Sequence, residues 1–340
     1  MIDNTFNVSF LKFNTLSIII SFFILSTLII ILSINLSKYA DALSERKKID
    51  GSLIGLILLA GITSLPELAV SISSVKNLPT NIGCNFAIGN IFGSNLFNLV
   101  IMGICIVMFS VKFKNLVNKN FFVNLSVQTI LLTIFTLLIL NINFLRTYGD
   151  YFFLIIPLLY VLFLIINNYY AFNISQKSKF NKLINKNSFL FYSNFILLSF
   201  FIIFSGFLMT LIAEIMSLNV SDGGLGINKN LTGTLFLALS TSLPELVIAL
   251  SCIKIGNINM AYGNILGSNL FNFLIMFITN VFITETFILA NISSRNNISL
   301  LSILLLSLIL IVLIKIKNIK IIRIMSFSIF FIYLLTLSFI

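Results

Sequence analysis

Apolar stretches long enough to cross a bilayer alternate along this chain with short polar intervals. They fall near 16–37, 51–75, 86–111, 121–142 and 150–170, and again near 189–218, 229–254, 259–284, 298–315 and 321–340. Crossing the hydrocarbon takes about 20 predominantly apolar residues in a helix. A helix also satisfies its own backbone polar groups where no water is available. The pattern therefore predicts ten transmembrane helices and an all-α polytopic membrane protein. The first stretch is longer than the apolar core of a secretory leader. It has Asp3 as well as Lys12 ahead of it, and no small-residue cleavage site follows, so it is read as helix 1.

Composition agrees with this pattern and excludes a soluble fold. Of 340 residues, 59% are hydrophobic and only 9% charged, against about 25% charged in a globular domain. Ten spans use roughly 200 residues, which leaves connections and helix overhangs but no sizeable extramembrane domain. The net charge of +11 would point to nucleic acid in a soluble chain. Here it sorts by side instead.

With the N-terminus outside, the intervals on the cytoplasmic face hold Lys38, Arg46, Lys47 and Lys48, then Lys112, Lys114 and Lys119. They also hold Lys177, Lys179, Lys182 and Lys186, then Lys254, and finally Lys315, Lys317, Lys320 and Arg323. The opposite face holds only Lys12, Lys76, Arg146, Lys229 and Arg295. This is the positive-inside distribution, and it places both termini outside, with a bacterial inner (plasma) membrane as the expected location. Tyr148 and Tyr151, with Tyr169 and Tyr170, mark the two ends of helix 5 as interfacial belts. The lipid bilayer is the expected partner, with no nucleic acid and no obligatory protein partner. Cys84, Cys105 and Cys252 are scattered, and His is absent, which points to neither a disulfide framework nor a zinc site.

The chain repeats itself. Thr63-Ser64-Leu65-Pro66-Glu67-Leu68 returns as Thr241-Ser242-Leu243-Pro244-Glu245-Leu246. GNIFGSNLFN from Gly89 to Asn98 returns, with nine of ten residues identical, as GNILGSNLFN from Gly263 to Asn272. The first copy carries four extra residues between its blocks, expected in the Lys76–Asn85 connection with Pro79. The TSLPEL block lies in helix 2 and its copy in helix 7, five crossings apart, so the copies run antiparallel: two inverted-topology repeats of five helices. The halves are residues 1–170 and 189–340, joined by a basic cytoplasmic linker, 171–188. Inverted repeats are an architecture of secondary transporters, with the site at the midplane.

The repeated residues supply hard-cation chemistry. Intramembrane carboxylates are costly and seldom face lipid, yet Glu67 and Glu245 lie deep in apolar helices, each directly after a proline. Pro66 and Pro244 cannot donate to the carbonyls of Ile62 and Ser240, so each helix is expected to break just before its glutamate and expose backbone oxygens. Thr63 and Glu67, and likewise Thr241 and Glu245, are four apart and share a helix face. Two carboxylates, two threonine oxygens and loosened carbonyls make an all-oxygen shell of charge −2, which suits Ca²⁺ best. In the second block Asn90, Ser94 and Asn98 share a face, as do Asn264, Ser268 and Asn272. Gly89/Gly93 and Gly263/Gly267 are GxxxG pairs expected to bring helices 3 and 8 together. Asp41 and Glu214 are read as interfacial or gating positions, Asp222 and Glu285 as loop charges, and Pro157 as a kink in helix 5.

The paired TSLPEL and GNI-x-GSN-x-FN blocks resemble the alpha repeats of the sodium/calcium exchangers of the cation/calcium antiporter superfamily. That resemblance implies a ten-helix fold in which helices 2, 3, 7 and 8 enclose one calcium site and several sodium sites. Carried over, Thr63, Glu67, Thr241 and Glu245 form the calcium site. Ser64, Ser94, Ser242 and Ser268 contribute to sodium sites, with Asn98 and Asn272 near the centre and the carbonyls of Ala60 and Ala238 assisting. Many relatives carry an acidic residue at the place of Asn272, including those that also move potassium, so potassium dependence is not expected. The glycine that many relatives carry before the threonine is Ile62 in one copy and Ser240 in the other. The large cytoplasmic regulatory loop of animal exchangers is absent.

The sequence thus reads as a Ca²⁺/cation antiporter without a cofactor, driven by Na⁺ and working by alternating access. Buried glutamates also bind protons, which keeps H⁺/Ca²⁺ antiport open as the alternative driver. A Ca²⁺-permeable channel could use the same two carboxylates as a filter. An enzyme is not expected, since the chain offers no nucleophile–base pair.

Overall fold

The computed structural model of the chain describes residues 15–171, 180–217, 241–283, 287–293 and 295–339. All ten apolar stretches form helix where they are described: α1 (Thr15–Lys47), α2 (Gly51–Asn77), α3 (Thr80–Met108), α4 (Lys119–Asn141), α5 (Gly149–Tyr170), α6 (Ser188–Ser217), α7 (Leu243–Ile255), α8 (Ile258–Val281), α9 (Arg295–Lys315) and α10 (Ile319–Phe339). Among the described residues, nine of these are long and apolar enough to span a bilayer. The exception is α7, because residues 229–240 of its expected span lie outside the described residues.

Burial sorts the helices into a centre and a rim. Within their most apolar windows, 78% of α3 and of α8 is buried, against 17% of α1. α8 packs on α3, on both halves of α2 and on α7, and α2 packs on α3. α4, α9 and α10 lie against the α3/α8 side, while α1 and α6 pair with each other and pack on α7 and α2 respectively. Large apolar side chains on the rim, among them Phe23, Leu158, Phe189, Phe200, Ile324 and Phe331, are exposed, as a lipid-facing surface requires. Tyr148, Tyr151, Tyr169 and Tyr170 are exposed at the two ends of α5, where interfacial rings belong.

Two boundaries differ from the expectation, each for a physical reason, and the break in helix 5 agrees with it. α1 runs ten residues past its apolar stretch to Lys47, because Leu36–Lys47 contains neither Gly nor Pro and its end is held against α6. Arg46 lies over the Phe191 ring at 4.3 Å and donates to Ser188 Oγ at 2.9 Å. Lys38, Arg46 and Lys47 are therefore helical, not loop, residues. The four extra residues of the first repeat do not lengthen a loop. Both connections have two residues, 78–79 and 256–257, and the extra four add one turn to the start of α3. One added turn of 3.6 residues keeps the Asn90–Ser94–Asn98 face pointing the same way. The kink expected of Pro157 is present: α5 breaks at Leu154, beside the Phe153 carbonyl that the proline ring excludes.

The glycines correct another expectation. A Cβ at Gly263 would lie 2.4 Å from the backbone oxygen of Ser52, and one at Gly267 would lie 2.8 Å from that of Leu56. Gly55 answers from α2, where a Cβ would lie 2.2 Å from the Met260 oxygen. The Gly263/Gly267 pair thus seats α8 on α2 and not on α3. No described residue lies within 4 Å of a Cβ placed at Gly89 or Gly93. Where α7 ends, Gly256 takes φ 110° and its N–H and that of Asn257 return to the Cys252 carbonyl. Only glycine adopts that conformation freely.

Candidate functional site

Each repeated proline breaks its helix. α2 interrupts at Ser64 (φ −91°, ψ 0°) and restarts with Pro66 in its first turn, and the second copy interrupts at Ser242 (φ −92°, ψ 10°) ahead of Pro244. Proline is tolerated in a first turn because the N–H it lacks has no intrahelical partner there. Each glutamate therefore lies in the first turn of a new helix, where the positive end of the helix dipole favours a carboxylate. The N-terminal half of α2 is further loosened by a π-helical stretch, Ile54–Leu59, which the sequence did not announce.

The two breaks meet inside the bundle. Glu67, Glu245, Thr63, Thr241, Ser242, Ser268, Asn98 and Asn272 are 0% exposed, and Ser64 and Ser94 are 1% exposed. Contacts cross between the copies. Ser94 Oγ donates to Glu67 Oε1 at 3.0 Å and lies 3.2 Å from Ser242 Oγ, while Thr63 Oγ1 lies 3.4 Å from Ser268 Oγ. Thr241 faces the Glu67 carboxylate and Thr63 faces that of Glu245. The two carboxylates are close enough to repel each other when both are ionised. The Ala60 carbonyl lies at the α2 break and accepts from Ser64 N at 3.1 Å and Thr63 Oγ1 at 3.4 Å. Ala238 lies outside the described residues.

What marks the cluster is its unmet oxygen. Glu67 Oε2, both carboxylate oxygens of Glu245, Ser64 Oγ, Asn98 Oδ1 and Asn272 Oδ1 are buried with no hydrogen-bond partner among the described residues. A buried polar group left unpaired costs about 1–3 kcal/mol, and more when charged. Such groups are rare in folded proteins and call for a specific cause. Carboxylate, hydroxyl and amide oxygens converging on one place are a donor set for hard cations. Among the described residues, no three His, Cys, Asp or Glu side chains cluster as a metal site. Among the described residues the cluster holds two carboxylates, Glu67 and Glu245, with neutral oxygens around them.

Asn95 and Ser71, not singled out in the sequence, take part. Asn95 Oδ1 accepts from Asn272 Nδ2 at 2.9 Å, which turns the Asn272 oxygen away from that bond. Asn269, its repeat equivalent, is fully buried and unpartnered. Both stand in the duplicated GSN triplet, so the repeat itself carried the signal. The i, i+4 spacing drew attention to Ser94 and Asn98 and past the residue beside Ser94. Ser71 accepts from Asn90 Nδ2 at 3.1 Å, and the same amide reaches the Glu67 carbonyl at 3.2 Å. The second copy has Ala249 at the place of Ser71, and both polar atoms of Asn264 are unpartnered.

Asp41 is buried and apart from this cluster, held by Asn257. Glu214 falls in α6, but its side chain, like Asp222 and Glu285, lies outside the described residues. The three cysteines are buried and free. At the N-terminus of α2, Asp50 Oδ1 accepts from Ser52 N at 2.7 Å. Burial pushes its carboxyl up, and the bonds from the Ser52 side chain and N–H act in the opposite direction.

A multi-pass helical bundle with two proline-broken helices and a buried, oxygen-lined carboxylate pair is the architecture of an ion transporter. The chain belongs to the sodium/calcium exchanger protein family, whose model matches residues 17–169 and 196–340. It is 47% identical to the sodium/calcium exchanger MaX1 of Methanosarcina acetivorans over 53 residues, a segment spanning 15% of either chain. Its fold is similar to that of the sodium-calcium exchanger NCX_Mj soaked with 2.5 mM Na⁺ and 0.1 mM Ca²⁺, with a TM-score of 0.68 and 20% identity over 94% of this chain and 97% of that one. A second NCX_Mj structure, soaked with 2.5 mM Na⁺ and 0.1 mM Sr²⁺, matches with a TM-score of 0.64 and 18% identity over 94% and 99%. The family is one of membrane transporters of Na⁺ and Ca²⁺.

Proposed function

We propose that this chain is a Na⁺-driven Ca²⁺ antiporter working by alternating access, with Thr63, Glu67, Thr241 and Glu245 as the calcium ligands. Ser64, Ser94, Ser242 and Ser268, with Asn98 and Asn272, complete the shell for sodium, and the Ala60 and Ala238 carbonyls assist. The observation that carries this reading is the set of buried, unpartnered oxygens around two fully buried carboxylates. One Ca²⁺ cancels the pair's charge of −2, and Na⁺ ions occupy the same oxygens instead. Without cations the pair is costly to hold in a dry interior, so an empty site resists switching sides and the two ion flows are coupled. The amides at Asn98 and Asn272 add ligand oxygen without further charge, which weighs against a role for potassium.

The two-part family match at 17–169 and 196–340 supports two halves, 1–170 and 189–340, joined by the basic segment 171–188. We place them as inverted repeats of five helices each, both termini outside, in a bacterial inner (plasma) membrane. The contacts that cross between Thr63 and Ser268 and between Ser94 and Ser242 favour a site shared by the two copies.

The driver is tested with purified protein in liposomes. Sodium-loaded vesicles diluted into sodium-free medium should take up ⁴⁵Ca²⁺, and a sodium ionophore should stop the uptake. Uptake supported only by a pH gradient would make the protein an H⁺/Ca²⁺ antiporter. Uptake that needs no counter-ion gradient would favour a channel.

A further inference from the structure

A second carboxylate is buried where the exchange site does not use it. Asp41 of α1 is 4% exposed. Its Oδ1 accepts from Asn257 Nδ2 at 3.0 Å, while its Oδ2 has no partner among the described residues. The amide that holds it is itself fixed. Asn257 Oδ1 caps α8 by accepting from Met260 N at 3.2 Å, and a Cβ at Gly51 would lie 2.6 Å from Asn257 Nδ2. Asp41 is thus pinned by one oxygen and left bare at the other.

The surroundings continue the polar character inward. Ser33, Ser37, Asp41 and Ser44 are spaced four, four and three apart and so share one face of α1. All four are buried, as are Leu36, Ala40, Ala42 and Leu43 in the same stretch of the helix. Ser33 Oγ likewise has no partner among the described residues. This helix packs on α7, whose Cys252 lies close to Asp41. Glu245 stands seven residues, or about 10 Å, up the same helix from Cys252, and Ser33 stands eight residues, or about 12 Å, up α1 from Asp41. α1 and α7 end at the same side, where Gly51 meets Asn257. The serine stripe therefore runs beside α7 from Asp41 towards the depth of Glu245. The same end of the molecule carries Lys38, Arg46, Lys47, Lys48 and Lys254, a positive rim that repels approaching cations.

We propose that Asp41, with the Ser33 and Ser37 hydroxyls deeper in the stripe, is a capture site that draws Ca²⁺ and Na⁺ past this rim and delivers them to Glu245. It offers one carboxylate and neutral hydroxyls, enough to attract a hydrated hard cation and too few to retain it, as a transit site requires. The proposal rests on the exchange reading of the central site.

Asp41→Asn keeps the acceptor for Asn257 and removes the charge. Asn257→Ser keeps a capping oxygen for α8 and removes the donor to Asp41. With Ca²⁺ presented from the face at which α1 ends, Asp41→Asn should lower the initial flux at subsaturating Ca²⁺ about tenfold. It should leave the flux at saturating Ca²⁺ unchanged, and Asn257→Ser should leave the subsaturating flux near wild type. An unchanged subsaturating flux in Asp41→Asn would overturn the proposal. So would an equal loss of saturating flux in both variants, which would make Asp41 a brace for the start of α8. Failure of the exchange reading would show separately, as a wild type without sodium-driven uptake. Independently of flux, protein carrying Glu67→Gln and Glu245→Gln should retain weak Tb³⁺ luminescence that Asp41→Asn removes. No signal before Asp41 is changed would count against the capture site.

Discussion

Glu67→Gln and Glu245→Gln should each lower sodium-dependent Ca²⁺ uptake by about 100-fold or more while leaving a folded protein. Glutamine preserves the volume of the side chain and one carbonyl oxygen, so the packing around the two breaks is retained. It removes a full charge from a fully buried site, where losing one partner of a buried charge pair costs about 3–5 kcal/mol. In the cation-free protein the same change relieves repulsion between two carboxylates in a dry interior. Thermal stability without Ca²⁺ should therefore be equal to wild type or higher, and the rise in Tm that Ca²⁺ confers by binding the folded state should be lost. Uptake and melting with and without Ca²⁺ read both effects. Near wild-type uptake in either variant would remove that glutamate from the site.

Gly263→Leu should abolish folding, because the contact it enters is between backbones. A Cβ there meets the Ser52 oxygen at 2.4 Å and the Leu56 nitrogen at 3.2 Å, and neither can swing aside as a side-chain tip would. Overpacking of this kind costs about 1–3 kcal/mol where the surroundings yield, and here they are the backbone of Ser52 and, within the π-helical stretch, of Leu56. Gly263→Ala should fold with a Tm lowered by several degrees. The monodisperse fraction in detergent, followed by melting, measures both. Wild-type yield and Tm in Gly263→Leu would mean that α2 and α8 are farther apart than described.

Much of this was legible in the sequence because lipid leaves few choices. A chain that must satisfy its own backbone in hydrocarbon declares each helix as an apolar run, and the described helices follow those runs. The proline-glutamate steps were legible for the same reason, since proline breaks a hydrogen-bond ladder wherever it stands. Helix ends were less so. α1 continues to Lys47 because of contacts with Phe191 and Ser188, 142 residues away from Arg46 in the second case, and hydropathy does not register contacts across that distance. The partner of a glycine face is likewise invisible locally. GxxxG announces a close approach but not that Gly263 and Gly267 press on α2. Asn95 escapes helical periodicity, which selects one face, whereas a site where several helices converge is reached from more than one.

Competition between the two ions for one set of oxygens is tested most directly by equilibrium binding. ⁴⁵Ca²⁺ binding to purified wild-type protein would be titrated at several Na⁺ concentrations, with choline replacing Na⁺ to hold ionic strength constant. If Glu67, Glu245 and the hydroxyls around them serve both ions, the apparent Kd for Ca²⁺ should rise with Na⁺ more steeply than in direct proportion, because more than one Na⁺ displaces each Ca²⁺. The effect should be absent with choline alone. A Ca²⁺ affinity indifferent to Na⁺ would contradict a shared site and the coupling built on it.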